Sequence, residues 1–520
     1  MAWFSPKPLL IPDIMTLNAA SLATKDAVID GEQVATWAEF GAGTAKVANA
    51  LLGTGLEHGD RVVVLMGNSL EMAEAMLGII RGGLCAVPLN CAITDEAVAG
   101  MIANCGARAV IASGEHIARV EVLRPMLSDD VKQRLIGVRV SEEGWLDYHA
   151  LRDSASADVP DIAIRPEDEC NIIYSSGTTG LPKGIVHDHS SREAWGSDMA
   201  VALRYHSGAR TLCNLGLFSN ISWVAMLATL FAGGTLIIQR RFDVEGCLEL
   251  IQAQRVTHTV MVPLQFQKLL ESEHLGEYDL SSLDAYMCCG SPLAVDLKRD
   301  IAERLPGDFI ELYGLTEGLV TILSPEDMLN KLGSVGRACP GQHLAIIDDN
   351  GNILPAGEPG EIVGECRFLM AGYHDNAEAD EEATWMHPSG RKWLRTGDVG
   401  QLDEDGFLYL VDRKKDMILS GGQNIYPADI EATFVKHESV SEVAVIGVAD
   451  RKWGETPLAV VVPVAGQDVD ADTLTAWANE RLGRQQRVSA SVFVRELPRN
   501  PNGKVLKREL RKQFDKTGSS

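Results

Sequence analysis

The sequence predicts an α/β protein with a large N-terminal domain of βαβ-type sheets, a β-rich subdomain behind it, and a small α+β C-terminal domain. Three observations predict this. Apolar strand candidates alternate with amphipathic helical segments from Arg61 onward. The alternation gives way near residue 333 to short strands between turn signals. After Asp412 a basic stretch leads into a compact strand-and-helix module.

Element by element, the spacing predicts a strand over 62–66, a helix over 70–80, a strand over 85–89, a helix over 95–104 and a strand over 109–112. Such βαβ order implies parallel sheet. It recurs as a strand over 259–262, a helix over 265–271, a strand over 285–288, a helix over 294–304 and a strand over 309–312. Two sheets in one N-terminal body are therefore expected. Beyond residue 333, Asp348-Asp-Asn-Gly, Pro355-Ala-Gly-Glu-Pro-Gly and Asp403-Glu-Asp-Gly-Phe are turn or hairpin signals. The boundary is placed at Asp412 to Lys415, which divides the chain into domains 1–412 and 413–520.

A chain of 520 residues is long enough for more than one domain. Its 46% hydrophobic and 23% charged residues are those of a globular protein, not a disordered one. The net charge of −25, from 47 Lys+Arg and 72 Asp+Glu, argues against nucleic-acid binding, which needs a basic footprint. It leaves room for anionic small substrates in a local basic cleft. The ten cysteines form no CxxC pair, which reads as reduced core thiols in a cytoplasmic chain. The first ten residues lack the features of an export signal.

One stretch, 211–239, is uncharged and long enough to cross a bilayer. Asn214, Ser219, Asn220, Ser222 and the Gly233-Gly234 break interrupt it, so it reads as a buried helix turning into a strand over 235–238. No transmembrane segment is expected.

The strongest chemical signal is the run from Tyr174 through Gly184, directly after the apolar residues Asn171-Ile-Ile. Gly177, Gly180 and Gly184 let the backbone approach a ligand closely. Ser175, Ser176, Thr178 and Thr179 supply hydroxyls and Lys183 a point charge, a set suited to phosphate oxygens. The Gly-Lys-Ser/Thr ending of a Walker A loop is absent. So are an HExxH helix and a Gly-x-Ser-x-Gly elbow.

This loop, Tyr313-Gly-Leu-Thr-Glu317, Arg395-Thr-Gly-Asp398, the stretch from Asp412 to Pro427 and the tail from Pro498 to Lys504 resemble, in the same order, signature motifs of the adenylate-forming superfamily. The chain is most similar to acyl-CoA synthetases of the fatty-acyl and 4-coumarate ligase type. The resemblance spans essentially the whole chain. It implies an ATP-dependent ligase that joins an apolar fatty, aryl or alicyclic acid to coenzyme A through an acyl-adenylate. Loading of a carrier protein is the alternative within the same fold, although no carrier domain follows Lys504.

What the resemblance implies for single residues follows its motifs. Ser175, Ser176, Gly177, Thr178, Thr179, Gly180 and Lys183 would take the triphosphate. Glu317, with Thr316 beside it, would hold Mg²⁺ and the α-phosphate, a hard carboxylate suiting that ion. Tyr313 would face adenine, while Asp398 and Arg413 would bond the ribose. Lys504 would contact both the attacking carboxylate and the α-phosphate. Lys415 would be the hinge of a mobile C-terminal domain, and Gly421 and Gly422 would abut the pantetheine arm of CoA. Phe218, Ser219, Gly290, Ser291, Leu312 and Gly314 would line the acyl pocket. The Cys288-Cys289 pair then precedes a pocket segment and is not read as nucleophilic.

Some positions depart from the family pattern. Where the family often has Pro-x-Phe-His, this chain has Gly216-Leu-Phe-Ser219. Ser219 cannot pair a substrate amine as the aspartate of amino-acid-activating relatives does, so a plain carboxylic acid is favoured. Leu312 stands where many relatives have glycine, which implies a pocket of altered depth. In His187-Asp-His189, Asp188 replaces the family's threonine, and His189 is read as structural or site-lining. The partners expected are the acid, ATP and CoA, with a homodimer allowed.

Overall fold

The computed structural model describes residues 8–140, 142–175, 183–413, 416–420, 423–450, 453–467, 469–484, 486–499 and 503–514, with backbone alone at 412, 413, 423 and 424. The chain forms two compact units. One contains Met1–Leu332, Ala338–His343 and Glu365–Glu382, and the other Gly333–Arg337, Leu344–Gly364 and Ala383–Ser520.

Two mainly parallel sheets build the first unit, as the βαβ reading expects. In one, the strands Asp308–Leu315, Ala285–Cys288, His258–Met261, Arg210–Cys213, Thr235–Ile238 and Asp26–Asp30 lie side by side in parallel. Gly318–Leu323 and Gln33–Thr36 flank them antiparallel. In the other, Glu169–Ser175, Cys85–Pro88, Arg61–Leu65, Ala109–Ser113, Leu135–Val138 and Leu146–Asp147 are parallel, and Lys183–Asp188 and Gly372–Tyr373 extend the sheet antiparallel.

One apolar core serves both sheets, joining Val28, Leu236 and Val260 of the first to Val62, Val64 and Ile111 of the second. Its helices Leu70–Arg81 and Asn220–Ala232 are buried almost all round, as helices between layers are. In Leu70–Arg81 even Glu71 and Glu74 are buried, paired to Arg139 and Arg152 at 2.8 and 3.3 Å. A second core, with Val98, Met101 and Val120, covers the other face of the second sheet. The uncharged stretch 211–239 resolves as read, into the helix Asn220–Ala232 and the strand Thr235–Ile238. Gly233 turns the chain between them in the left-handed region, at φ 69°, where a Cβ would lie 2.6 Å from Leu22. Among the described residues no helix is long and apolar enough to cross a membrane, and all ten cysteines are unpaired.

The second unit is richer in antiparallel strands. The eleven-residue strand Lys392–Leu402 pairs with Gly360–Glu365, Thr384–Met386 and Leu408–Arg413. Trp385 and Trp393, opposite each other in register, pack with Ile347 and Val363. In the C-terminal part Val440–Asp450 and Gly454–Pro463 form a long antiparallel pair joined by Ile418–Ser420, Gln423–Ile425 and Ala490–Phe493. Helices Pro427–Phe434 and Ala471–Arg481 cover one face and Lys507–Phe514 the other. A large mixed α/β body and a smaller, distinct C-terminal α+β domain are thus both present.

Candidate active site

The first unit carries two hairpins in which the predicted site residues concentrate. The strands Glu169–Ser175 and Lys183–Asp188 pair antiparallel, with Ser175 opposite Lys183. The loop between them therefore springs from a paired stem. Ser176, Gly177, Thr178, Thr179 and Gly180 of that loop lie outside the described residues. At the stem Tyr174 donates its hydroxyl hydrogen to Asn104 Oδ1 at 2.6 Å, and burial raises its pKa.

The second hairpin joins Asp308–Leu315 to Gly318–Leu323, with Thr316 and Glu317 as its tip. Its backbone is tightly constrained. Gly318 has φ 117°, and a Cβ there would sit 2.7 Å from Leu369 Cδ2. Leu319 has φ 63°, a left-handed conformation costing about 1–3 kcal/mol that surrounding structure must hold. The surroundings do so: His187 Nε2 bonds the Thr316 carbonyl at 2.9 Å, and Met370 N–H donates to the Glu317 carbonyl at 2.8 Å.

Between the hairpins stands Tyr373. Its ring lies under the Lys183 ammonium, 4.8 Å from centroid to Nζ, and its hydroxyl donates to Glu317 Oε1 at 2.9 Å. Burial, then the Glu317 charge, hold this phenol protonated by raising its pKa. Tyr373 thus meets the ammonium with its ring face and the carboxylate with its hydroxyl. Tyr373 is held in turn by Asp380, whose Oδ1 accepts its backbone N–H at 2.8 Å, and by strand pairing opposite Ile185. Among the described residues Glu317 Oε2 accepts no hydrogen bond, which leaves it for another ligand. One hard oxygen fits Mg²⁺, which takes few protein ligands when phosphates and water complete its shell. Among the described residues no group of three or more His, Cys, Asp or Glu side chains could hold a metal by itself.

Of the residues predicted for the acyl pocket, Phe218, Ser219 and Gly290 lie at the start of Asn220–Ala232. Ser219 caps that helix, accepting the Ile221 N–H at 3.3 Å. Asn68 fixes the approach: its Oδ1 accepts the Leu217 N–H at 2.8 Å, and its Nδ2 donates to the Leu215 carbonyl at 2.8 Å. Gly216 makes room for Phe218, since a Cβ there would lie 2.1 Å from Phe218 Cε1. Gly290, at φ 95°, faces Ile221, 2.8 Å from a built Cβ. Leu312 is buried opposite Ile322 in the core that Phe218 and Ile221 join. Tyr313 and Ser291 are half-buried and Gly314 is exposed.

The second unit carries the remaining predicted residues. Asp398 is 8% exposed in the strand Lys392–Leu402, opposite Arg413, and its N–H donates to Thr396 Oγ1 at 3.1 Å. Arg413 is described by backbone alone, and Lys415, Gly421 and Gly422 lie outside the described residues. Lys504 is half-buried on a turn in which Arg499 Nη1 donates to the Gly503 carbonyl at 2.6 Å. Gly503 has φ 79°.

Sequence reasoning missed Tyr373 and the role of His187. A lone tyrosine in the turn-rich stretch 370–376 carries no periodicity that would single it out. His187 lies in the strand Lys183–Asp188, whereas His189 begins the helix His189–Ala202, so strand alternation does not relate the two rings. His189 is buried with neither ring nitrogen hydrogen-bonded, and burial drives its pKa down to about 4. Asp188, in place of threonine, caps the helix His189–Ala202 by accepting the Ser191 N–H at 2.6 Å, a task either residue performs.

Comparison with known proteins places this arrangement. Residues 16–374 match the AMP-binding enzyme family, and residues 429–504 match the AMP-binding enzyme C-terminal domain. A long-chain-fatty-acid–CoA ligase of Mycobacterium tuberculosis is 33% identical over 487 residues, covering 93% of each chain. A feruloyl-CoA synthase of Amycolatopsis is 33% identical over 491 residues, covering 94% of this chain and 96% of its own. Among solved structures, ATP-bound MatB from Rhodopseudomonas palustris superposes with a TM-score of 0.88 at 27% identity, covering 98% of this chain and 100% of its own. The chain belongs to the AMP-binding enzyme family, within the acyl-adenylate-forming superfamily and closely related to its acyl-CoA and 4-coumarate-CoA ligase-like members.

Proposed function

We propose that the protein is an AMP-forming acid–thiol ligase that converts an apolar fatty, aryl or alicyclic acid into its CoA thioester. The observation that carries this reading is that Tyr373, between the two hairpins, touches both Lys183 and Glu317, a cation and a carboxylate braced by one ring where the loop 176–182 would hold a triphosphate. The relatives' activities support it, since one is a long-chain-fatty-acid–CoA ligase and another a feruloyl-CoA synthase.

In the first half-reaction the acid's carboxylate oxygen bonds the α-phosphorus of ATP while the bond to pyrophosphate breaks. Lys183 and the loop hydroxyls would receive charge on the leaving phosphates, and Lys504 would neutralise the carboxylate and α-phosphate where they meet. Mg²⁺, held through Glu317, would supply Lewis-acid stabilisation of the phosphate oxygens. Tyr373 would keep Glu317 oriented for that task. Tyr313 would stack on adenine, and Asp398 and Arg413 would bond the ribose hydroxyls.

In the second half-reaction the CoA sulfur bonds the acyl carbon, AMP departs and the thiol proton is released. Rotation of domain 413–520 about Lys415 would replace Lys504 by Gly421 and Gly422 at the thiol entrance. Ser219 offers no negative charge for a substrate amine, and Leu312 with Phe218 presents an apolar wall, so the acid is taken to be uncharged beyond its carboxylate. Unpaired cysteines support a cytoplasmic setting for the reaction.

The test is ATP–pyrophosphate exchange with a panel of fatty, aryl and alicyclic acids, followed by CoA addition to the best one. Exchange with such an acid and a thioester product are expected. Exchange with amino acids alone would overturn the substrate class, and an acyl-adenylate that CoA leaves intact would overturn the thiol acceptor.

A further inference from the structure

Behind the two hairpins lies a buried charge that the reaction scheme leaves unused. Arg192, on the helix His189–Ala202, is wholly buried. Its Nε donates to Asn171 Oδ1 at 2.7 Å, its Nη1 to Asn220 Oδ1 at 2.8 Å and its Nη2 to His187 Nδ1 at 3.2 Å, and the guanidinium lies 4.8 Å over the Trp223 ring. Its hydrogen-bond partners are all neutral, and no Asp or Glu charge acts on it among the described residues. Burial lowers its pKa to about 9, which leaves it charged at neutral pH.

Burying a charge without a counter-ion costs several kcal/mol, and an apolar side chain would fill a helix position against Trp223 at no such cost. Local rules are broken in this way chiefly at functional sites.

The bonding pattern assigns the protons. A guanidinium only donates, so His187 Nδ1 must be bare. A carbonyl only accepts, so His187 Nε2 must carry the hydrogen it gives to Thr316. His187 is therefore neutral and in one tautomer, which agrees with burial, then the Arg192 charge, holding its pKa well below the usual histidine range. A directed chain of donors runs from Arg192 through His187 to the carbonyl of the strained Thr316–Glu317 tip. A second arm reaches Asn220, the first residue of the helix that Ser219 caps. A third reaches Asn171, which lies opposite His187 in the stem of the phosphate loop.

We propose that Arg192 and His187 are positioning residues for adenylation, holding the Thr316–Glu317 tip in fixed relation to the acyl-facing start of Asn220–Ala232. The inference rests on the functional reading above, in which Glu317 serves the phosphates and Ser219 the acyl chain. The guanidinium couples them because each segment bonds the same rigid, planar fork and cannot shift without breaking a buried hydrogen bond.

The experiment uses the full chain with Arg192→Met, His187→Leu and His187→Gln. It reads kcat and KM for ATP in pyrophosphate exchange, consumption of supplied acyl-AMP by CoA, and thermal unfolding. His187→Leu and Arg192→Met should lower kcat for exchange by about 10–100-fold, the usual effect of losing an outer partner that orients a reacting group. KM for ATP and acyl-AMP consumption should change much less. His187→Gln should recover most of the loss, because an amide has both an acceptor for Arg192 and a donor for Thr316. Should Arg192→Met fail to fold, the two His187 variants decide. Equal kcat in His187→Gln and His187→Leu, or failure of both to fold, would overturn the proposal by marking a packing role. A wild-type chain inert toward every acid would overturn the proposed function and this inference with it, whereas an active wild type with unchanged variants would overturn the inference alone.

Discussion

The Thr316–Glu317 tip and the Gly503–Lys504 turn each present one charge-bearing residue, but they are held by opposite means. The first is braced from inside the core. His187 bonds its carbonyl, Tyr373 its carboxylate and Met370 its backbone, and the strained Leu319 survives within that frame. The second is tied by ion pairs that solvent partly reaches. Arg499 bonds the Gly503 carbonyl and pairs with Glu442, while Lys507 pairs with Glu431 at 2.7 Å and Arg511 with Asp416 at 3.1 Å. Buried hydrogen bonds in a low-dielectric interior hold geometry strongly, whereas exposed ion pairs contribute little and are screened by salt. The difference teaches that the Thr316–Glu317 tip is held by hydrogen bonds from three residues of its own unit, while Lys504 sits on a turn tied by partly exposed pairs within its own domain.

Removing the lysine tests that division most severely. Lys504→Ala should slow acyl-AMP formation by about 100- to 1,000-fold, the scale for one lost group that stabilises transition-state charge, with KM for ATP altered less. Supplied acyl-AMP should bypass most of the defect in a CoA-dependent assay. Equal damage to both half-reactions would erase the contrast between a fixed site and a visiting lysine.

On the fixed side, Tyr373→Phe removes one hydrogen bond to a charged group and should cost about 1.5–3 kcal/mol in kcat/KM for adenylation, read by pyrophosphate exchange. A fully active variant would show that Glu317 needs no bracing. Leu312→Gly bears on the acyl side of the same frame. It should shift the ratio of kcat/KM toward longer or wider acids by about 1–3 kcal/mol, and an unchanged ratio would place Leu312 outside the pocket.

Acid separates the two regions thermodynamically. Burial lowers the folded pKa of His189 to about 4, below the 6.5 of an unperturbed imidazole, so the unfolded chain binds the proton more tightly. The stability this group contributes is fully present above pH 6.5 and is lost as pH falls toward 4. His258, also lowered to about 4 by burial, adds to the same loss. Thermal unfolding followed through the first unit's buried Trp195 and Trp223 should therefore weaken over that window, and His189→Gln should flatten the slope.

The smallest effect is expected at the partly exposed Arg511–Asp416 pair. Arg511→Gln should lower stability by at most about 1 kcal/mol, and 1 M salt should remove the difference from wild type. A loss that persists in salt would mean that the C-terminal turn is braced as firmly as the Thr316–Glu317 tip.

Much of this was legible in one dimension. The helix Asp95–Asn104 and the strand Ala285–Cys288 fall where apolar periodicity predicts them, because the period of a buried face is written in consecutive residues. Boundaries were less legible. The strand expected over 309–312 runs from Asp308 to Leu315, because pairing with Gly318–Leu323 carries it through the exposed Gly314, a residue no strand propensity favours. The ordered motifs marked Lys183, Glu317, Asp398 and Lys504 because each stands in a run of neighbours with distinctive chemistry.

What the sequence by itself determined is therefore the alternating α/β body, the family and the charged residues proposed for the nucleotide. What only the tertiary structure decided is how those residues are held. Tyr373 reaches Glu317 across 56 positions and His187 reaches Thr316 across 129. Arg192 meets Asn220 only because the helices His189–Ala202 and Asn220–Ala232 pack closely, with Gly196 so near Phe231 that a Cβ would lie 2.4 Å from its ring. Such contacts leave no local pattern: a hydrogen bond depends on distance and direction in space, and these exist only once both sheets share one core.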